Sequence, residues 1–204
     1  MSILRELFGP SKGEIWSQLS QEIGASYDEG GFFKQGAVRL AYHQWEVTLD
    51  TYTVSSNHSH STYTRLRAPF VNPDGFRLNL YREGLFTGIG KKLGMQDIEI
   101  GDAFFDQQFV IQGQPEDMVR RLLENGRIRE LIQAQPDIHF SIKDDEGWFG
   151  AKFPEGVDEL YFAVHGVIKD VDRLKALFEL FATVLDELCR MNPAYAVEPQ
   201  MKLN

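Results

Sequence analysis

At 204 residues, 43% apolar and 25% charged, the chain is long enough to bury a core of its own and reads as one globular domain. A formal charge of −9 argues against sequence-independent nucleic-acid binding through a basic surface. A single cysteine, Cys189, excludes an internal disulfide and a cysteine-built zinc cage. There is neither a run of about 18 apolar residues nor a signal-peptide core, so a cytoplasmic protein without a transmembrane segment is expected.

In chain order, Ser2 to Phe8 is a short amphipathic stretch expected to pack on the domain rather than on a membrane. Ser11-Lys12-Gly13-Glu14 is a capping box, and the helix it opens sets Ile15, Trp16, Leu19 and Ile23 on one face before Gly24. The period then changes to two. Val38, Leu40 and Tyr42 alternate with polar or small residues, as do Trp45, Val47 and Leu49. Thr64, Leu66 and Ala68 oppose Tyr63, Arg65 and Arg67, and Phe76, Leu78 and Leu80 follow. Strands with one polar face predict an antiparallel meander, in which Glu46 and Asp50 can face Arg65 and Arg67 if the register allows.

Leu85 to Met95 reads as a glycine-rich helical turn. From Met95 to Leu123 the chain reads as a strand passing through a short link into a helix. Phe109-Val110-Ile111 is the strand, and Pro115-Glu116-Asp117 is a first helical turn that needs no donor and favours acids. This stretch resembles a motif of a family of uncharacterised bacterial proteins, some membrane-attached, in which a Phe-Asp-x-x-Phe strand leads to a helix. Here the motif is Phe105-Asp106-x-x-Phe109, with a looser likeness from Trp16 to Arg190. That resemblance implies no activity, cofactor or site residue.

Met118, Val119, Leu122 and Leu123 make a helical face, interrupted at Asn125-Gly126, and Pro136 ends the next helix. Strands are expected at Ile138–Ile142, Trp148–Phe153 and Leu160–Val167. Asp170 then caps a long helix with the stripe Leu174, Leu177, Phe178, Phe181, Val184, Leu185 and Leu188, stopped by Asn192-Pro193. The expected fold is α+β: antiparallel meander sheets packed by helices, in one domain over residues 1–193 with a loose tail at 194–204. It is read as two pseudo-duplicated halves, 11–94 and 95–193, forming two sheets or one curved sheet. A pleckstrin-like curled sheet against the C-terminal helix is the alternative.

Few constellations point to chemistry. His58 and His60 share a side of an extended segment and would hold a metal given a third ligand, His43 or Asp50. The Ser- and Asn-rich surroundings equally suit a hairpin loop. Gly88-Ile89-Gly90-Lys91-Lys92-Leu93-Gly94 fits neither common phosphate-loop spacing. Asp106, flanked by three phenylalanines, needs a partner such as a backbone amide or an arginine. No Gly-x-Ser-x-Gly elbow, His-Glu-x-x-His helix or Cys-x-x-Cys pair occurs.

The charge is uneven. Tyr63 to Lys92 carries a local balance of +4, and Leu93 to Asn204 one of −10. The expectation is a non-enzymatic cytoplasmic binding or scaffolding module without a cofactor. It would dock a protein or an anionic surface through a basic strip of Arg65, Arg67, Arg77, Lys91 and Lys92. A metal-dependent hydrolase using His58 and His60 is the alternative, and self-assembly into a homo-oligomer through exposed strands is a third reading.

Overall fold

The computed structural model describes residues 9–31, 34–56, 59–84, 96–144, 153–201 and 203. Helix α1 (Lys12–Ile23) opens on the expected capping box. The Ser11 hydroxyl accepts from the Glu14 amide at 3.2 Å, and the Glu14 carboxylate accepts from the Ser11 amide at 2.9 Å. It closes at Gly24, whose φ of 71° suits a residue without a Cβ. Trp16 is fully buried, and its indole N–H donates to the Ile168 carbonyl at 3.3 Å.

Eight strands then build one antiparallel sheet: β1 (Ser26–Gly31), β2 (Lys34–Tyr42), β3 (Trp45–Ser56), β4 (Ser59–Val71), β5 (Arg77–Arg82), β6 (Phe109–Gln114), β7 (His139–Lys143) and β8 (Val157–His165). The spatial order is β1-β2-β3-β4-β8-β7-β5-β6. Of the expected meander, β2, β3 and β4 pair in succession, with β1 added outside β2, whereas the strand expected at residues 76–80, β5, leaves it to pair with β6 and β7. The two halves expected to meet near residue 94 are instead interleaved, since β5 lies between β7 and β6, and β8 zips onto β4. β1 was not anticipated: its Ser-Tyr-Asp-Glu-Gly-Gly sequence has no apolar alternation, because an edge strand buries little. The Leu85–Met95 turn and most of Trp148–Phe153 lie outside the described residues.

The remaining helices are α2 (Ala103–Asp106), α3 (Glu116–Leu123), α4 (Gly126–Gln133) and α5 (Val171–Met191), followed by a 3-10 turn at Pro193–Ala196. The Phe105-Asp106-x-x-Phe109 segment is therefore a helical turn entering a strand. α5 begins at Asp170, whose carboxylate accepts from the Arg173 amide at 2.9 Å. Every residue of its expected stripe is buried.

All described helices share one face of the sheet. The apolar cluster joins their stripes to Val38, Leu49, Leu66, Phe140, Phe162 and Ile111, which alternate along their strands toward the same side. Burying each large side chain contributes about 1.5–3 kcal/mol, so this layer dominates stability. The start of the expected loose tail is anchored too. Tyr195 is buried and stacks on Phe70 with centroids 6.1 Å apart. No helix among the described residues is long and apolar enough to cross a membrane.

Candidate functional site

Because strand side chains alternate, the face opposite the helices is built from the residues between the core positions. The register aligns them. Arg39 pairs with Thr48, Thr48 with Arg67, Arg67 with Tyr161, Tyr161 with Ser141, Ser141 with Asn79, and Asn79 with Gln112. Asp97 bridges to Gln112 at the sheet edge. One row of polar side chains thus crosses the sheet from β2 to β6. Thr48, Arg67, Asn79, Gln112 and Ser141 are all buried, and Tyr161 and Ala163 lie outside the apolar cluster.

Charge on this face is matched locally. Asp50, 8% exposed, accepts from Arg65 Nε at 2.6 Å and Nη2 at 3.1 Å, and from Arg67 Nη2 at 2.6 Å. The expected Asp50–Arg65 cross-strand pair is therefore present. Glu46 instead faces Arg39 at 3.8 Å, because Arg67 stands opposite Thr48.

On the other flank a hydrogen-bonded chain runs toward the edge. His139 Nε2 lies 2.8 Å from Asn79 Oδ1, Asn79 Nδ2 donates to Gln112 Oε1 at 3.3 Å, and Gln112 Nε2 donates to Asp97 Oδ1 at 2.8 Å. Burial, then the charge of Lys143, pushes the His139 pKa down to about 4. The ring is neutral at pH 7 and carries its proton on Nε2. The Lys143 ammonium sits 3.2 Å from the Tyr161 ring centroid, and burial and the Tyr52 hydroxyl push the Tyr161 phenol far up. Two buried hydroxyls of the row, Thr48 Oγ1 and Ser141 Oγ, have no hydrogen-bond partner among the described residues.

At the end of the sheet bearing the β3–β4 hairpin, the same face becomes aromatic and more open. Tyr52 and Tyr63 are cross-strand partners, stacked at 5.1 Å. Arg65 caps the Tyr52 ring at 5.0 Å, and His165 meets Tyr63 edge-on at 5.4 Å. His165 is exposed, and Val54 is 50% exposed.

Arg65 and Arg67 of the expected basic strip thus converge, on a shared carboxylate. Arg77 lies beyond β8 and β7, held by Asp158 and 3.5 Å from Asp144. Lys91, Lys92 and His58 lie outside the described residues. His60 Nδ1 is 2.8 Å from Ser55 Oγ. Neither expected third ligand reaches His60. Asp50 points to the other face of the sheet, and His43 occupies the β2–β3 turn at the far end of β3, 3.7 Å from Asp186. Among the described residues no group of three His, Cys, Asp or Glu side chains is placed to hold a metal.

The remaining candidates take structural places. Asp106 accepts from the Ile100 and Gly101 amides, both at 3.0 Å, as a backbone-amide partner would require. Burial, then Asp186, raises the Cys189 thiol pKa, which disfavours the nucleophilic thiolate. Sequence reading missed the His139–Asn79–Gln112–Asp97 chain. Its only signal is the polar phase of three strands, and a period cannot say which strands adjoin. No family model, curated protein or solved structure matches this chain.

Proposed function

We propose that the chain is a non-enzymatic binding module that offers a protein partner the open aromatic end of the sheet face opposite the described helices. The observation carrying this reading is the division of the sheet: one face takes all the described helices, and the other joins a polar row to an open aromatic cluster. Tyr, Arg and His around an exposed aliphatic side chain are the composition of protein-interface anchors. The ionisable groups of the row are each engaged locally, Arg39 with Glu46, Arg67 with Asp50 and the Tyr161 ring with Lys143, which suits a preorganised framework better than proton transfer.

A protein is favoured over an anionic surface because Asp50 and Asp158 already compensate Arg65, Arg67 and Arg77. Reversing Arg67 would place an acid in a buried site beside Asp50, so it tests stability before binding. The open end is the better target. Affinity capture with the full chain should recover a partner that the triple variant Val54→Ser/Tyr63→Ser/His165→Ser loses. A helix-side variant, Glu179→Ala, should retain it. Equal capture by both variants refutes the assignment, and flotation with anionic phospholipid vesicles in place of protein capture would move it to a membrane surface.

A further inference from the structure

A second feature, independent of the sheet face, lies where the loop before α2 meets the α3–α4 junction. An open cleft of about 680 Å³ is formed there, with Ile100, Phe104, Leu123 and the guanidinium-bearing Arg120 and Arg129 among its walls. That volume falls in the range of about 300–1,000 Å³ usual for small-ligand sites. The walls are held in place. Asp106 ties down the Ile100 and Gly101 amides, Asp102 caps α2 through the Phe105 amide at 3.2 Å, and Asn125 caps α4 through the Arg127 amide at 3.0 Å.

Two side chains of the cleft are incompletely used by the fold. Phe104 is 67% exposed, whereas its neighbour Phe105 is fully buried and packs on Phe109 at 4.6 Å. Arg129 donates one N–H to the Leu123 carbonyl and forms an ion pair with Asp102, Nε to Oδ2 at 3.5 Å, which leaves its Nη2 amino group without a hydrogen bond among the described residues. A guanidinium has five N–H donors, so Arg129 keeps a donor edge for a planar anion. Arg120 is committed elsewhere, to Glu116 at 2.6 Å and to the Glu99 carbonyl.

We infer that this cleft binds a monocarboxylate carrying an apolar body, with the carboxylate on Arg129 and the apolar part against Phe104 and Ile100. The charge of the walls selects among anions. Asp102 and Glu124 line the same cleft, so a doubly charged phosphate meets about twice the repulsion of a single carboxylate and has no apolar body to set against it. An uncharged analogue gains the apolar contact and forgoes the charge-assisted hydrogen bond to Arg129. The carboxylate has two sources, a free small molecule or the C-terminus of a peptide.

The test is an NMR titration of the full chain with 3-phenylpropionate, its primary amide, inorganic phosphate, and the tripeptide Gly-Gly-Phe with a free C-terminus. The carboxylate should shift the Gly101, Ala103 and Leu123 amides saturably, with the amide and phosphate at least about tenfold weaker. Arg129→Gln and the surface variant Phe104→Ser should each weaken binding about tenfold. Phe104 is 67% exposed and outside the apolar core, so loss of binding in the latter variant at an unchanged Tm is not a folding artefact. Tighter binding of the tripeptide assigns the site to a peptide terminus, and its exclusion assigns a free small molecule. Absence of saturable shifts up to about 10 mM, or equal binding of the amide or phosphate, overturns the proposal.

Discussion

Replacing Asp50 by Asn tests how the polar face is held together. The carboxylate accepts three N–H donors from two arginines, and the Arg67 side chain is only 3% exposed. Asn keeps the shape but has one acceptor oxygen, so its own N–H₂ must face the donors of one arginine. A hydrogen bond to a charged group contributes about 1.5–3 kcal/mol, and breaking a buried pair from one side costs about 3–5 kcal/mol. Arg65 and Arg67 each have a further contact, and Arg65 is 20% exposed and can reach water. The low end therefore applies, about 3 kcal/mol, or about 6–12 °C in Tm for a domain of this size. Urea unfolding should show a lower midpoint at an unchanged slope. Removing the carboxylate together with the deeply buried guanidinium, as Asp50→Leu/Arg67→Met, should recover most of the loss, because the charge that then lacks Asp50, on Arg65, is 20% exposed and can reach water. A loss below about 1 kcal/mol for Asp50→Asn, or a double variant no better than the single one, would refute the reasoning.

Three further outcomes follow from local geometry. Gly113→Ala puts a Cβ 2.6 Å from Val119 Cγ2 and against the Arg77 carbonyl, so thermal melting should show a loss of about 1–3 kcal/mol; an unchanged Tm would mean the strand–helix contact yields freely. His43 holds a φ of 50° in the β2–β3 turn, so His43→Gly should gain about 1 kcal/mol by relieving left-handed strain, and a lower Tm would show that its contacts with Asp186 and Tyr42 outweigh it. His139, with its folded pKa near 4 against an ordinary 6.5, favours the folded state while neutral. The unfolded chain takes up the proton first, so this contribution is complete above pH 6.5 and is lost as pH falls toward 4, by about 3 kcal/mol in all. An NMR titration of the His139 ring in the folded protein should have its midpoint near 4, and a midpoint near 6.5 would contradict the burial argument.

What is written locally was readable from the residues alone. The Ser11–Glu14 capping box, the Gly24 stop, the Asp170 cap and the stripe from Leu174 to Leu188 are each specified within one or two helical turns, where side chain and backbone meet without the rest of the chain. The alternation from Val38 to Leu80 likewise determined the α+β class and which residues would share a face. Asp50 meeting Arg65 needed only the hairpin register between two neighbouring strands. Other features were decided by non-local pairing. The insertion of β8 beside β4, the transfer of β5 to lie between β7 and β6, and the docking of Tyr195 on Phe70 join residues far apart in the chain. A period of two states which way a side chain points but not which strand lies alongside. For that reason the polar row from Arg39 to Gln112, the His139 chain and the burial of Arg67 exist only once the tertiary structure has set the strand order.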